Sequence, residues 1–227
     1  MFAGSASPFV RRQARQHRER AAAALTRVWR AKLGLSSRGA AAAVGDAAID
    51  ELIGALLPVL EKRMDWTIFW RLLPTLLPEP ASNGGDTDVT AAEALAALDR
   101  AVYSGDTAGL DSFGARLAEW VNRWRALQRS VVDESTARSG ADVAAAMSRV
   151  NPKYIPRQWM LVDCYVRAQE GNYALLKLFE SLLSRPYDEQ PEYEAMFFRR
   201  APTTMYADLA PARTVLPPSL YREVMPS

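Results

Sequence analysis

Residues 147–194 decide the fold of this 227-residue chain, and they read MSRVNPKYIPRQWMLVDCYVRAQEGNYALLKLFESLLSRPYDEQPEYE. Asn151 can cap a helix with Pro152 in the first turn, or the helix can begin at Ile155 with Pro156 as its first full residue. In either case one face of the helix repeats apolar residues at helical spacing, which predicts burial. That stripe consists of Ile155, Trp159, Val162 and Val166.

A second helix is predicted directly after the first. Gly171 is suited to end the first helix, and Asn172 is suited to cap the second. The predicted buried stripe of the second helix consists of Leu175, Leu176, Phe179, Leu182 and Leu183. Pro186 ends it, and an acidic loop bounded by prolines follows. Asp188, Glu189, Glu192 and Glu194 are expected to be solvated there, with metal binding as the alternative.

Three groups of residues, in this order along the chain, resemble the selenoprotein O family. The first is Arg30-Ala31-Lys32-Leu33-Gly34-Leu35. The second is Asp65-Trp66-Thr67-Ile68-Phe69-Trp70-Arg71-Leu72. The third is Asn151-Pro152-Lys153-Tyr154 together with Arg185-Pro186-Tyr187-Asp188-Glu189-Gln190-Pro191-Glu192-Tyr193.

This resemblance covers roughly residues 25–200 and points to the C-terminal, non-catalytic part of the family. It implies relatives with a kinase-like fold that transfer AMP from ATP to the hydroxyl groups of proteins. ATP and Mg²⁺ are therefore the cofactors implied for the full-length family, and none is expected to bind this chain.

The sequence also departs from the family pattern. Pro156 stands where relatives tend to carry an aliphatic residue, and the family's C-terminal Cys or selenocysteine motif is missing. A kinase-like site needs a glycine-rich phosphate loop, a catalytic Lys and an Asp/Asn pair for metal ions. None of these motifs occurs, and Gly84-Gly85 has neither a strand before it nor a Lys-Ser/Thr after it. We therefore predict no catalytic, cofactor-binding or metal-binding residue in this chain.

The cysteine content of the sequence indicates the cellular compartment of the chain. The only cysteine, Cys164, excludes an intramolecular disulfide framework and favours a reducing environment inside the cell, in the cytoplasm or a mitochondrion. It is expected to be buried and inert in mid-helix, and the only histidine, His17, is expected on the surface. No apolar run approaches the roughly 20 residues of a membrane span.

The positive charge is concentrated at the N-terminus. Residues 1–38 carry nine Lys or Arg against Glu19 alone, and the rest of the chain has 19 Lys or Arg against 25 acids. Ser7-Pro8 predicts the start of one long helix that Gly34 ends, with an apolar face only in its last turns (Leu25, Val28, Trp29 and Leu33). Its basic half is a solvated helix face, an organelle-targeting segment or a phosphate-contacting arm. We divide the chain into a basic helical arm (1–24), a helical region (25–200) and an irregular tail (201–227).

The remaining periodic stretches also repeat at helical spacing, so the predicted fold is all-α, with seven to nine helices in an irregular bundle. Asp46 and Asp65 are expected to cap helices, Pro58 to kink one, and Thr90 with Glu93 to form a capping box. The first of these helices has the stripe Ile49, Leu52, Ile53, Leu56, Leu57 and Leu60. The second is expected to bury Trp66, Phe69, Trp70 and Leu73.

A further helix, opened by Asp106 or Thr107, carries the most regular pattern in the chain. Its apolar residues alternate spacings of three and four, which indicates packing against a neighbouring helix or, alternatively, a coiled-coil dimer. They are Leu110, Phe113, Leu117, Trp120, Trp124, Leu127 and Val131.

Two functional hypotheses follow. The leading one is a helical part that supports the kinase-like catalytic lobe of a selenoprotein O-like enzyme. Its partner is that lobe, and the protein substrates of the full-length family are further partners. The rival is a free-standing interaction protein whose basic arm contacts nucleic acid or an anionic surface, although no interleaved aromatics support nucleic-acid binding. Under the first hypothesis an exposed apolar face and the proline-rich tail lie against the lobe, and the isolated chain self-associates or needs the lobe for solubility.

Overall fold

The computed structural model describes residues 7–35, 44–61, 63–78, 87–103, 109–131 and 139–201. Within these ranges the chain forms nine α-helices and no strand, which confirms the all-α prediction. They are α1 (Pro8–Lys32), α2 (Asp46–Leu60), α3 (Trp66–Leu72), α4 (Ala91–Ala97), α5 (Leu110–Ser130), α6 (Gly140–Ser148), α7 (Gln158–Gln169), α8 (Ala174–Ser184) and α9 (Pro191–Phe197). Two short 3₁₀ helices, Leu73–Leu76 and Asp99–Ala101, follow α3 and α4. None of the described helices is both long and apolar enough to cross a membrane.

Helix α5 lies at the centre of the core. The middle of its predicted seam is buried, with Phe113, Leu117 and Trp124 each fully inaccessible. The seam packs inside the chain, against α2 and α4, so the interpretation as intramolecular helix packing is confirmed. The Trp120 indole N–H donates to the carbonyl of Leu52 at 2.8 Å, which ties α5 to α2. Residues 104–108, where we expected the helix cap, lie outside the described ranges.

Helices α2, α3 and α4 follow the predicted capping pattern with one exception. Asp65 caps α3 by accepting a hydrogen bond from the Ile68 N–H, and the capping box of Thr90 and Glu93 opens α4. Asp46 is the first residue of α2 and Gly45 is its cap, one position earlier than predicted. Pro58 lies inside α2, which continues to Leu60.

Two residues that we expected to be buried on these helices are exposed. Leu57 is 49% exposed and Trp66 is 38% exposed. Trp66 meets the rings of Trp29 and Trp70 at centroid distances of 6.0 and 5.4 Å, so part of its surface is covered and the rest faces outward. These positions lack a covering element in the described part of the chain.

Helix α1 is capped by Ser7 and ends before Gly34, as predicted. The buried residues of its described part lie in the last two turns, which pack through both apolar and polar groups. Leu33 is fully buried, whereas Leu25 and Val28 are about half exposed, so the predicted apolar face is only partly correct. Polar groups provide the remaining anchor: Thr26 binds Asp50, and the Arg30 guanidinium binds Asp46 and the carbonyl of Val44.

Both predicted starts for α7 are wrong. The helix begins at Gln158, after residues 151–157 run in a non-helical conformation. The cause is the pair Pro152 and Pro156, since a proline disfavours helical geometry in the residue before it. The N–H groups of Lys153 and Tyr154 donate to the Pro186 carbonyl, at 2.8 and 3.2 Å, instead of to a helical partner.

The start at Gln158 also changes which face of α7 is buried. Met160 and Cys164 are buried, whereas Val166 of the predicted stripe is 50% exposed. Gly171 ends the helix with positive φ, as predicted. The N-cap of α8 is Tyr173, one residue later than the predicted Asn172, whose side chain accepts from the Ala174 N–H. On α8, Phe179 and Leu182 are buried while Leu176 is 47% exposed.

The acidic segment after Pro186 is more ordered than we predicted. Pro191 begins α9, which continues to Phe197, whereas an irregular chain was expected after Glu194. Proline is favoured at this first helical position because its missing N–H needs no partner there. Phe197 and Phe198 are 5% and 2% exposed, so the chain buries both of them itself. Residues 202–227, most of the predicted irregular tail, lie outside the described ranges.

We expect Gly34→Ala to destabilise the fold by about 1–3 kcal/mol. Gly34 has φ of +73°, and an added Cβ would lie 2.7 Å from Cγ1 of Val143 and 3.0 Å from Sδ of Met147. The change therefore combines backbone strain with overpacking between α1 and α6. Urea unfolding of the two proteins measures the difference. Gly54→Ala is the control, because its Cβ would meet nothing within 4 Å and alanine favours the helix.

Candidate functional site

The three groups of family-like residues, far apart in sequence, meet in one place. Charged residues of the second and third groups (Arg71, Lys153 and Glu189) join Glu194 and Arg100, which lie outside the quoted motifs, in an ionic cluster that we define by these five residues. Arg71 comes from the end of α3, Lys153 from the segment before α7, and the two glutamates from the segment at α9. The side chains of Arg71 and Lys153 are only 5% and 3% exposed.

Arg71 binds the most groups in the cluster. Its guanidinium donates to the carbonyls of Ser148 at 2.7 Å, Asn151 at 3.0 Å and Tyr187 at 3.1 Å, and also to the Glu189 carboxylate. Ser148 is the last residue of α6, where helical carbonyls lack intrahelical partners. A cation at a helix C-terminus is also favoured by the helix dipole. Arg71 therefore closes the end of α6 and fixes the two following segments to α3.

Lys153 joins the two glutamates. Its ammonium group lies 2.7 Å from Oε2 of Glu189 and 2.6 Å from Oε2 of Glu194. Arg100 binds the other oxygen of Glu194 at 2.6 Å and donates to the carbonyl of Phe198 at 2.9 Å. The guanidinium carbon of Arg100 and the ammonium nitrogen of Lys153 lie over the Phe198 ring, at 4.7 and 5.2 Å from its centroid. Each carboxylate is thereby shared between two cations.

Tyr154 and Gln190 lock the same segments through neutral hydrogen bonds. The Tyr154 hydroxyl lies 2.8 Å from the Glu189 carbonyl and 2.9 Å from the Gln190 carbonyl, so it can donate to either. Burial, reinforced by the charges of Glu194 and Glu189, raises the pKa of Tyr154 to about 12, which keeps the hydroxyl protonated as a donor. Gln190, with φ of +40°, donates to the carbonyls of Leu182 and Arg185 at the end of α8.

Two further polar contacts border the cluster. Asp65, which is 3% exposed, accepts both guanidinium N–H groups of Arg157, one of them at 2.8 Å. Lys32 donates to Oδ1 of Asn151 at 2.8 Å and lies 5.2 Å from the centroid of the Trp70 ring. Burial lowers the pKa of Lys32. The contact of Lys32 connects the first family-like group to the third, and the contact of Asp65 connects the second group to Arg157, the residue before α7.

The charged groups of the ionic cluster hold separate parts of the chain together. The charged groups of the cluster bind one another and backbone carbonyls, and the cluster lies at the junction of α3, α6, α8 and α9. Within the described ranges, no group of three or more His, Cys, Asp or Glu side chains is arranged to hold a metal ion. His17 lies on the exposed part of α1, and Cys164 is buried, both as predicted. Gly84-Gly85 lies outside the described ranges.

The prediction of solvated acidic side chains is confirmed for Asp188, Glu189 and Glu192, which are exposed, whereas Glu194 is partly buried. The ion pairs of these carboxylates were not predicted. Glu189 and Glu194 face Lys153, Arg71 and Arg100, and Asp188 approaches Arg185 at 3.8 Å. The apolar repeats of the sequence did not identify Arg71, Lys153 and Asn151 as residues that hold the helices together. Such repeats consider only the apolar positions of a segment, and these three residues are polar or charged. The available signal was the resemblance itself, since these three residues all belong to the quoted motifs.

We expect the cluster to make stability depend on pH in the acid range. Burial would by itself raise the pKa of Glu189, but hydrogen bonds and charges from Lys153 and Arg71 outweigh it and lower the pKa below 4.5. Hydrogen bonds from Arg100 and Lys153 lower the pKa of Glu194 as well. Stabilisation by both groups is therefore complete above the ordinary glutamate pKa and decreases as pH falls through the lowered values.

The measurement is the free energy of unfolding between about pH 6 and pH 3 in the wild type and in Glu189→Gln. The variant should show a shallower loss on acidification because it has one fewer titrating carboxylate. The Glu189 side chain is 67% exposed, so salt should weaken the effect. Identical pH profiles for the two proteins would contradict this assignment.

The described part of the chain is all-α, and charged residues of the second and third family-like groups bind one another and backbone carbonyls there. Comparison with curated proteins then gives the relationship. The chain is 35% identical over 179 residues to the protein nucleotidyltransferase YdiU of Paraburkholderia xenovorans, a match of 78% of this chain and 28% of that protein. The corresponding proteins of Cupriavidus pinatubonensis and Nitrosospira multiformis are 33% and 29% identical, over 78% and 75% of this chain.

The chain is therefore related by sequence to the selenoprotein O family, as the three groups of motifs predicted. It spans just over a quarter of the length of the YdiU proteins that it matches. No family model matches the sequence, and no solved structure matches it either.

Proposed function

We propose that this chain is the C-terminal helical part of a selenoprotein O-like protein adenylyltransferase and that it supports a kinase-like catalytic lobe. The lobe belongs to the same protein or to a second polypeptide. In this proposal the assembled enzyme transfers AMP from ATP to hydroxyl groups of proteins, with ATP and Mg²⁺ bound by the lobe. The helical part binds neither and supplies a rigid surface.

One observation carries the proposal: three residues of the family-like motifs, Arg71, Lys153 and Glu189, build the ionic cluster together with Glu194 and Arg100. Arg71, Lys153 and Glu189 bind one another and the ends of helices, so their arrangement is explained by holding the helices in place. A buried, fully engaged Arg or Lys is costly to expose and poorly placed to contact a phosphate. The names of the YdiU relatives supply the nucleotidyltransferase part of the proposal.

The test is co-expression of this chain with the part of the Paraburkholderia relative that it does not match. Co-expression is chosen because neither partner then needs to fold alone. We expect a stable 1:1 complex to purify through a tag on either partner. Failure of the two polypeptides to co-purify, when each is present in the soluble fraction, would contradict the supporting role.

A second candidate function rests on the exposed basic half of α1. Residues 9–25 are exposed along their whole length and include Arg11, Arg12, Arg15, Arg18 and Arg20, with Glu19 as their only acid. Such an arm suits contact with phosphates of nucleic acid. In that case affinity for a random duplex would fall steeply with rising salt, because bound counterions are released on binding. No binding at low salt would eliminate this candidate.

A further inference from the structure

The described chain divides into two parts at residues 149–151. We define the body as the described residues 7–148, which contain α1 to α6, and the C-terminal unit as residues 152–201, which contain α7, α8 and α9. In the described ranges no backbone N–H group of the C-terminal unit donates to a carbonyl of the body, and none donates in the reverse direction. Backbone hydrogen bonding therefore stays within each part.

The C-terminal unit has its own aromatic core. The centroids of the Phe179 and Phe197 rings lie 5.1 Å apart, and that of Tyr193 lies 6.3 Å from that of Phe197. A small apolar cavity of about 10 Å³ is lined by residues between Tyr154 and Phe197. The ring contacts of the body involve a separate set of residues: Trp29, Trp66, Phe69, Trp70 and Trp120. Aromatic packing thus divides at the same place as the backbone hydrogen bonds.

The buried charge of Lys153 is compensated inside the C-terminal unit. Its side chain is 3% exposed, and its ammonium group binds the carboxylates of Glu189 and Glu194. The backbone N–H groups of Lys153 and Tyr154 donate to the Pro186 carbonyl, in the same unit. A buried cation needs such partners to offset its desolvation. Because these partners all belong to one unit, Lys153 does not tie that unit to the body.

Three side chains of the body form a polar junction with the C-terminal unit: Asp65, Arg71 and Arg100. Asp65 pairs with Arg157, and the two arginines bind the segment 187–198 through its carboxylates and carbonyls. The carboxylates that Arg71 and Arg100 bind belong to side chains that are 67% and 34% exposed, so solvent weakens both ion pairs. Polar contacts of this kind are typical of surfaces between parts of a chain that move relative to each other.

We propose that the C-terminal unit opens at residues 149–151 and unfolds as one cooperative unit while the body stays folded. Groups of neighbouring elements in native proteins open in this way, at a lower free energy than global unfolding. A part of about 50 residues is at the lower limit for a domain that folds alone, so separation from the body leads to its unfolding. The polar junction controls how often this opening occurs. The inference is independent of the proposed function.

The first experiment is hydrogen exchange of the whole chain, read by mass spectrometry at several urea concentrations below the unfolding transition. We expect peptides from α7, α8 and α9 to share one opening free energy that is lower than the value for α5. Their opening should also depend less on urea than that of α5, because opening of the C-terminal unit exposes less surface than global unfolding.

The second experiment uses Cys164 as a reporter of opening. It is the only cysteine of the chain, lies in α7 and is 2% exposed, so its reaction with a thiol reagent requires opening. Arg100→Gln removes the ion pair with Glu194 and should increase the labelling rate about fivefold, without weakening the protection of α5. Arg123→Gln is the matched control, since the side chains of Arg100 and Arg123 are 45% and 44% exposed and Arg123 pairs with Glu51 inside the body. It should change the rate by less than about twofold.

Each other outcome overturns the inference. One opening free energy and one urea dependence shared by α5 and α7–α9 would show that the chain opens only as a whole. Different opening free energies for α7, α8 and α9 would show local fraying instead of one unit. Equal acceleration of Cys164 labelling by Arg100→Gln and Arg123→Gln, or loss of α5 protection in Arg100→Gln, would show that the polar junction does not control a separate opening.

Discussion

Replacing Arg71 by Met is expected to remove about 3–5 kcal/mol of folding stability, which is enough to unfold a marginally stable domain. The reason is mainly the three carbonyls of Ser148, Asn151 and Tyr187, which lose their donor in a site where Arg71 is 9% exposed. The Glu189 side chain is 67% exposed, so solvent screens that ion pair and it adds less.

Denaturant unfolding followed by circular dichroism measures this effect. Arg123→Met is the matched control, because Arg123 binds Glu51 at 2.8 Å on the surface, where both side chains are 44% or more exposed. Its cost should be at most about 1 kcal/mol. Arg71→Lys should fall between the two, since an ammonium group cannot reach four acceptors in a plane. Equal losses from Arg71→Met and Arg123→Met would contradict the role given to the ionic cluster.

Replacing Trp124 by Ala is expected to cost about 3–5 kcal/mol as well, through a different mechanism. Trp124 is fully buried in the α5 seam, and its indole N–H donates to the Leu33 carbonyl at 3.0 Å. Truncation leaves a large cavity between α5 and the end of α1. The Leu33 carbonyl keeps a second donor, the Gln128 amide at 2.6 Å, so the packing loss dominates.

Trp124→Phe separates the two contributions in the same unfolding assay. Phenylalanine fills most of the space and removes only the N–H group, so a loss of about 1–2 kcal/mol is expected. If Trp124→Phe destabilised the protein as much as Trp124→Ala, the hydrogen bond to α1, rather than packing, would be the main contribution of this residue.

Local sequence signals predicted the elements that depend on a few neighbouring residues. Ser7, Asp65 and the pair Thr90 and Glu93 cap helices as expected, and Gly34 and Gly171 end them with positive φ. The seam of α5 was also predictable because its repeat extends over three heptads. These features need no knowledge of the tertiary structure, since each results from backbone geometry or from one apolar face.

The errors occur where tertiary contacts compete with local preference. Pro152 and Pro156 were interpreted as helix starts, but the Pro186 carbonyl takes the N–H groups of the residues between them. The carboxylates of Glu189 and Glu194 could be assigned to Lys153 only after the fold brought together residues 36 and 41 positions apart. Exposed Leu57 and Val166 fit their helical patterns and still lack a covering element within the described ranges.

The measurement that tests the central claim most directly is transfer of label from ATP to protein in the presence of Mg²⁺. Three samples are compared with a mixed protein substrate: this chain alone, the co-expressed complex with the lobe of the Paraburkholderia relative, and that complex carrying Arg71→Met. We predict no label with the chain alone, labelling with the complex, and reduced labelling when the ionic cluster is broken. Mg²⁺-dependent labelling by the chain alone, abolished by a single substitution within it, would contradict the account.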